Sequence, residues 1–107
     1  MNNFKFYASN LYSENCIESA DEYCQFFGWK ITQSSNNHSE LLTDSGEKII
    51  FSRSNKNCRV EKGSITVVSD TIEPELSDFF QFEQRPEGKE YISILDRYGN
   101  RIWLFRK

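Results

Sequence analysis

Histidine occurs once in this 107-residue chain, at position 38, and proline only at Pro74 and Pro86. Cysteine is nearly as scarce: Cys16, Cys24 and Cys58 form an odd set without CxxC spacing. Such a set excludes a disulfide framework and a zinc knuckle. Cys24 is expected to pack in the core as a small apolar group, with Cys16 and Cys58 in polar surroundings. No apolar run approaches the roughly 20 residues that cross a bilayer, so no membrane partner is expected. The opening MNNFKFYASN lacks the unbroken apolar core of a secretory signal, which makes the cytoplasm the expected compartment. A net charge of −3 is mild and of the wrong sign for nucleic acid, which asks for a basic stripe. Neither a glycine-rich phosphate loop nor a Ser-His-Asp set is evident.

What the chain does have is bulk. Aromatic residues make up 15% of it, nine of them Phe, enough for one hydrophobic core in one domain of ordinary size. Phe4 to Tyr12 alternates as a strand, placing Phe4, Phe6, Ala8, Asn10 and Tyr12 on one face. Ser13 to Asn15 offers caps for a helix over about Cys16 to Phe27, with Ile17, Ala20, Cys24 and Phe27 as its buried stripe and Gly28 as its stop. The period then changes to two. Strands follow at Trp29–Ser34, Ser39–Thr43 and Lys48–Arg53, with turns at 35–38 and 44–46. His38 falls in the first of these turns and reads as a solvated loop residue.

Ser54 to Lys62 is polar, basic and aperiodic, a linker. The pattern then restarts: a strand at Ser64–Val68, a short helix capped by Asp70 or Thr71 with Leu76, Phe79 and Phe80 on its apolar face, then Phe82–Gln84, Tyr91–Leu95 and Arg101–Arg106. Pro86-Glu87-Gly88 makes the turn before Tyr91. Shifting the sequence by 53 residues lays Gly46 on Gly99, Lys48 on Arg101, Ile49 on Ile102, Phe51 on Leu104 and Phe26-Phe27 on Phe79-Phe80. Self-similarity at one fixed shift signals a duplicated unit. The expected fold class is therefore α+β, with two tandem βαβββ modules, one over about 4–53 and the other over 63–107. Together they form a curved, cup-like mixed sheet with helices on its outer face.

The closing stretch Tyr91–Arg106, YISILDRYGNRIWLFR, resembles the last hairpin of the vicinal-oxygen-chelate superfamily (glyoxalase, bleomycin-resistance and extradiol-dioxygenase proteins). Asp96, Gly99 and Asn100 match that family's Asp-Pro-Asp-Gly-Asn turn, while Arg97 and Tyr98 depart from it. The helix ending Tyr23-Cys24-Gln25-Phe26-Phe27-Gly28-Trp29 is similar to its Tyr-x-x-x-Leu-Gly-Phe. In metal-using members the resemblance implies four ligands on the first and last strands of each module. Here those positions fall near Ala8, at Ile50, at Gly63 or Ser64, and at Trp103, where a glutamate would stand. None ligates a divalent ion in the usual way, so no metal and no cofactor are expected.

Alternation puts Arg101, Trp103 and Phe105 on one face, matched by Ile50 and Ser52, with Asn10 and Tyr12 projecting from the first strand. These seven are the candidate ligand-binding residues. An aromatic wall with a few polar groups suits a planar or amphipathic small molecule, with Arg101 free to meet an anionic or carbonyl group. The same aromatic residues would equally suit a filled core or a dimer contact. The leading expectation is a metal-free binding protein of the bleomycin-resistance type that sequesters its ligand without turnover, built as a two-fold homodimer. A metal-dependent lyase, isomerase or dioxygenase with displaced ligands is the alternative from the enzyme class. A regulatory or interaction module that lost its pocket is the third.

Overall fold

The computed structural model describes residues 3–84 and 90–106. Asn15 opens the helix α1 (Cys16–Phe27): its side-chain oxygen accepts from the Glu18 N–H at 3.0 Å, and Gly28 closes it in the left-handed region. Before it lies the strand β1 (Ser9–Tyr12), and after it β2 (Lys30–Ser34), β3 (His38–Leu42) and β4 (Lys48–Ser52). The second half carries β5 (Ser64–Val68), β6 (Phe80–Gln84), β7 (Tyr91–Asp96) and β8 (Arg101–Phe105). They make two four-stranded mixed sheets, β1-β4-β3-β2 and β5-β8-β7-β6, each with one parallel pair at its edge. The expected tandem architecture is therefore present, and its order repeats strand for strand.

The duplication extends to single hydrogen bonds. Thr43 and Glu47 close the β3–β4 turn as Asp96 and Asn100 close the β7–β8 turn. In each, the first residue's N–H reaches the fifth residue's carbonyl (2.8 and 2.9 Å). The fifth residue's N–H returns to the first side chain (3.0 and 2.9 Å). Gly46 and Gly99 both sit at φ +91°, a conformation that L side chains rarely adopt. The Phe pairs are not equivalent, however. Phe27 ends α1 whereas Phe80 opens β6, because Ile31 and Phe82 are the residues that share a place, opposite Leu41 and Ile94.

Three further expectations are corrected. Residues 69–79 form no helix. Ser69 and Thr71 hydroxyls bond the N–H groups of Thr71 and Glu73, and Ser77 bonds that of Phe79, so local side chains take the donors. The first strand is short: Phe4 and Phe6, 87% and 82% exposed, precede it without regular structure. And α1 is turned in part from the expected stripe, of which Ala20 stays buried and Cys24 and Phe27 pack against the core. It buries Cys16, Ser19, Ala20 and Tyr23, while Ile17 faces solvent and Cys24 is half-buried. Cys16 is thus the fully buried cysteine, with Cys24 packed against the edge of the core, and burial pushes the Cys16 thiol upward. Cys58 is exposed as expected. The turn at 86–88 lies outside the described residues.

Tyr23 explains the rotation. Its ring meets Phe51 of the first sheet edge-on at 4.7 Å and Phe80 of the second at 5.3 Å. Its hydroxyl donates to Asp96 Oδ2 at 2.8 Å, so the polar end of a fully buried side chain is satisfied. Asp96 also accepts the N–H groups of Tyr98 and Asn100. The Asn100 side chain, with no exposed surface, accepts from the N–H of Tyr12 (3.1 Å) and of Gly63 (2.9 Å). It donates to the Tyr12 carbonyl (2.7 Å) and to Asp96 (2.8 Å). A Cβ at Gly63 would lie 2.9 Å from Leu11 Cδ2 and 3.2 Å from the Asn10 carbonyl oxygen, so the two edges approach closely there. Arg97 and Tyr98, which break the turn's usual pattern, both dock on Glu18 of α1; the Tyr98 hydroxyl does so at 2.6 Å, and burial with that carboxylate pushes its phenol up to about 12.

Asn100→Ala removes the side-chain partner of three partly buried backbone groups, at about 1 kcal/mol or more each. The expected loss is at least ~3 kcal/mol, read by urea denaturation. A loss below ~1 kcal/mol would mean the turn is not what holds the halves together.

Candidate functional site

Cross-strand neighbours decide which aromatic side chains stay uncovered. Trp103, mid-β8, stands between Thr66 of β5 and Ser93 of β7, both too small to cover an indole. Tyr91 pairs across the ladder with Phe105, and its ring meets the Trp103 ring edge-on at 5.7 Å. The result is a hollow of about 410 Å³ on the face of the second sheet, lined by Thr66, Glu90, Tyr91, Trp103 and Phe105. Glu90 supplies a carboxylate on its wall, paired to Arg106 at 3.1 Å. Trp103 and Phe105 were legible from alternation. Tyr91, Thr66 and Glu90 were not singled out, although the cross-strand rule applied to Trp103 and Phe105 points to two of them.

The other five candidates are distributed elsewhere. Tyr12 lines a separate hollow of about 460 Å³ with Val60, Glu61 and Lys62. Ser52 lines a polar one of about 320 Å³ with His38 and Arg53. Asn10 is exposed and Ile50 is buried at 7%, and both fall outside these hollows. Arg101 is already engaged. Its guanidinium grips Glu83 through two bonds of 2.6 and 2.5 Å, and Glu83 also accepts from Ser93 at 3.0 Å. That grip holds the Glu83 carboxyl down at about 2, against an ordinary value of 4.5.

The superfamily's ion positions can be tested on these residues. Ala8 and Ile50 offer no donor atom, Trp103 offers only an indole N–H, and Ser64 offers a neutral hydroxyl. Among the described residues, no three of His, Cys, Asp or Glu stand together as a potential ion site. The residues do not fit a divalent metal. His38, expected as a loop residue, instead opens β3 and bonds Glu40 at 2.7 Å.

No family model matches the sequence, and no curated protein does. Solved structures do match. A glyoxalase/bleomycin resistance protein/dioxygenase superfamily member from Sphaerobacter thermophilus superimposes with a TM-score of 0.69 at 12% identity, covering 98% of each chain. The bleomycin-binding protein of Streptomyces verticillus, solved with copper(II)-bleomycin, gives 0.65 at 10% identity, covering 100% of this chain and 99% of that one. A lactoylglutathione lyase from Agrobacterium tumefaciens gives 0.64 at 13%, covering 99% and 96%. The chain has the vicinal-oxygen-chelate fold. At these identities the likeness is one of fold, and chemistry has to come from the side chains. No helix among the described residues is long and apolar enough to cross a membrane.

Because Glu83 has its carboxyl depressed in the folded state, its pairing stabilises above about 4.5 and is lost as pH falls toward about 2. Glu83→Gln should lower the thermal midpoint at pH 6, and the gap to the parent should close across that window. A gap that persists unchanged at pH 2.5 would show the charge pairing is not its source.

Proposed function

We propose that the protein binds a planar or amphipathic small molecule, of aromatic and preferably cationic character, in the Trp103 hollow. It does so without a divalent metal and without turnover. The observation that carries this reading is the half-buried indole of Trp103, which lines the hollow between Thr66 and Ser93 and is flanked by Tyr91 and Phe105, where the resemblance implies a metal-binding glutamate. Aromatic faces attract cations and flat rings. The net charge of −3 favours a positive ligand over a negative one, and the Glu90 carboxylate on the wall is shared with Arg106. Sequestration is the mode of action that this chemistry supports, and the fold's appearance in a bleomycin-binding protein agrees with it.

Of the seven residues expected at the site, Trp103 and Phe105 make the proposed contact surface, Arg101 is engaged by Glu83, and Asn10, Tyr12, Ile50 and Ser52 stand apart. The hollow is open on the sheet face, and the proposal includes a two-fold homodimer in which a second copy closes it, acting in the cytoplasm.

Isothermal titration against flat aromatic cations, amphipathic dyes and neutral aromatics tests the reading. Binding by at least one cation is expected, with Trp103→Ala weakening it about thirtyfold, the ~2 kcal/mol typical of a central aromatic anchor. Silence across the panel, or affinity indifferent to Trp103, would refute it. Elemental analysis of protein purified without chelators tests the metal half separately: less than a tenth of an equivalent, on the order of background, is expected. Stoichiometric zinc, nickel, manganese or iron would return the metal-dependent lyase reading to first place.

A further inference from the structure

The duplication makes two equivalent sheet faces, and they have diverged. Where the second carries Tyr91, Trp103 and Phe105, the first carries His38, Ile50 and Ser52. His38 and Ser52 are direct cross-strand partners, which brings Ser52 Oγ to 3.4 Å from His38 Nδ1. Two residues along the same face, Glu40 Oε2 lies 2.7 Å from His38 Nε2. An ionised carboxylate only accepts, so the Nε2 proton belongs in that bond and the Nδ1 lone pair faces the serine hydroxyl. Lys48, at 3.2 Å from the other Glu40 oxygen and 2.9 Å from the Tyr7 hydroxyl, fixes the carboxylate from behind. Glu40 stays ionised, since His38 and Lys48 hold its carboxyl below the ordinary range.

The hydroxyl also has somewhere to react. The polar hollow of about 320 Å³ is lined by Ser52, His38, Arg53, Asn37, Ser54 and Cys58. Arg53 Nη1 reaches only the Asn37 side-chain oxygen at 3.4 Å, and its Nε is 4.0 Å from Glu14, so its donors are loosely held and available to a new oxygen. Nucleophile, base and cation thus line one cavity, distinct from the Trp103 hollow, and the carboxylate holds the base from its far ring nitrogen.

We propose that this cavity is an acyl-transfer site for small esters, with Ser52 as nucleophile, His38 as general base, Arg53 as oxyanion partner and Glu40 as positioning residue. Ser52 Oγ bonds to the ester carbonyl carbon as its proton passes to His38 Nδ1, and the developing oxyanion meets Arg53. Collapse breaks the ester C–O bond, and the alkoxide takes the proton from His38 and leaves as the alcohol. Water then repeats the sequence on the acyl-serine, releasing the acid and restoring the hydroxyl.

A fluorophosphonate probe, which phosphonylates an activated serine with loss of fluoride, tests this on the whole protein. One adduct is expected, mapped to Ser52 by peptide mass spectrometry. Ser52→Ala should abolish it, while Ser54→Ala, altering the same cavity, should label at the parent rate. His38→Ala should slow labelling about a hundredfold, the usual worth of a general base, with an unchanged thermal midpoint confirming that the variant folds. Glu40→Ala should slow it too, and added formate should restore part of the rate, which a merely structural role would not allow. No adduct on folded protein, an adduct on Ser54 or Cys58, a rate indifferent to His38, or a Glu40→Ala rate deaf to formate would each overturn the assignment.

Discussion

A single amide side chain ties the molecule together. Asn100 spends both of its oxygen's bonds and both of its N–H groups on Tyr12, Gly63 and Asp96, that is, on β1, the approach to β5, and its own turn. Edges of two separate sheets would otherwise present unpaired backbone to each other, at a cost of about 1–3 kcal/mol for each buried group. Asp96 extends the same set of bonds to Tyr23, and through its ring to Phe51, Phe79 and Phe80. The helix, both sheets and the shared core therefore depend on one buried cluster in which every polar atom has a partner.

The two halves show how one frame supports two chemistries. Their closing turns are built alike, yet Thr43–Glu47 is largely in solvent and ties nothing together, whereas Asp96–Asn100 holds the interior. The sheet faces part in the same way. Small residues around Trp103 leave an apolar hollow in the second half, and the matching positions of the first hold a serine, a histidine and a carboxylate. Burial of the repeating apolar residues fixes the frame, and the outward residues are free to differ.

Architecture was legible because its signals are local or periodic. Asn15 and Gly28 bound the helix to the residue, since caps act within one turn. Ser64–Val68 and the β7–β8 hairpin follow from alternation. That the second half would lack its expected helix was not legible, since it turns on Ser69, Thr71 and Ser77 taking the very donors a helix needs. Of the aromatic site, Trp103 and Phe105 could be read from one strand alone. Glu83's capture of Arg101, Tyr91's place beside Trp103 and the meeting of His38 with Ser52 all depend on which residues face each other across strands, and register is a property of the folded sheet.

Chain order adds a constraint in time. All the pairings of the first sheet lie between residues 9 and 52, but the side chain that completes Tyr12 comes 88 positions later. During synthesis the leading half emerges with its Tyr23 hydroxyl unanswered and one flank of β1 bare. Both are satisfied only once the β7–β8 hairpin has left the ribosome. Residues made late thus seal residues made early.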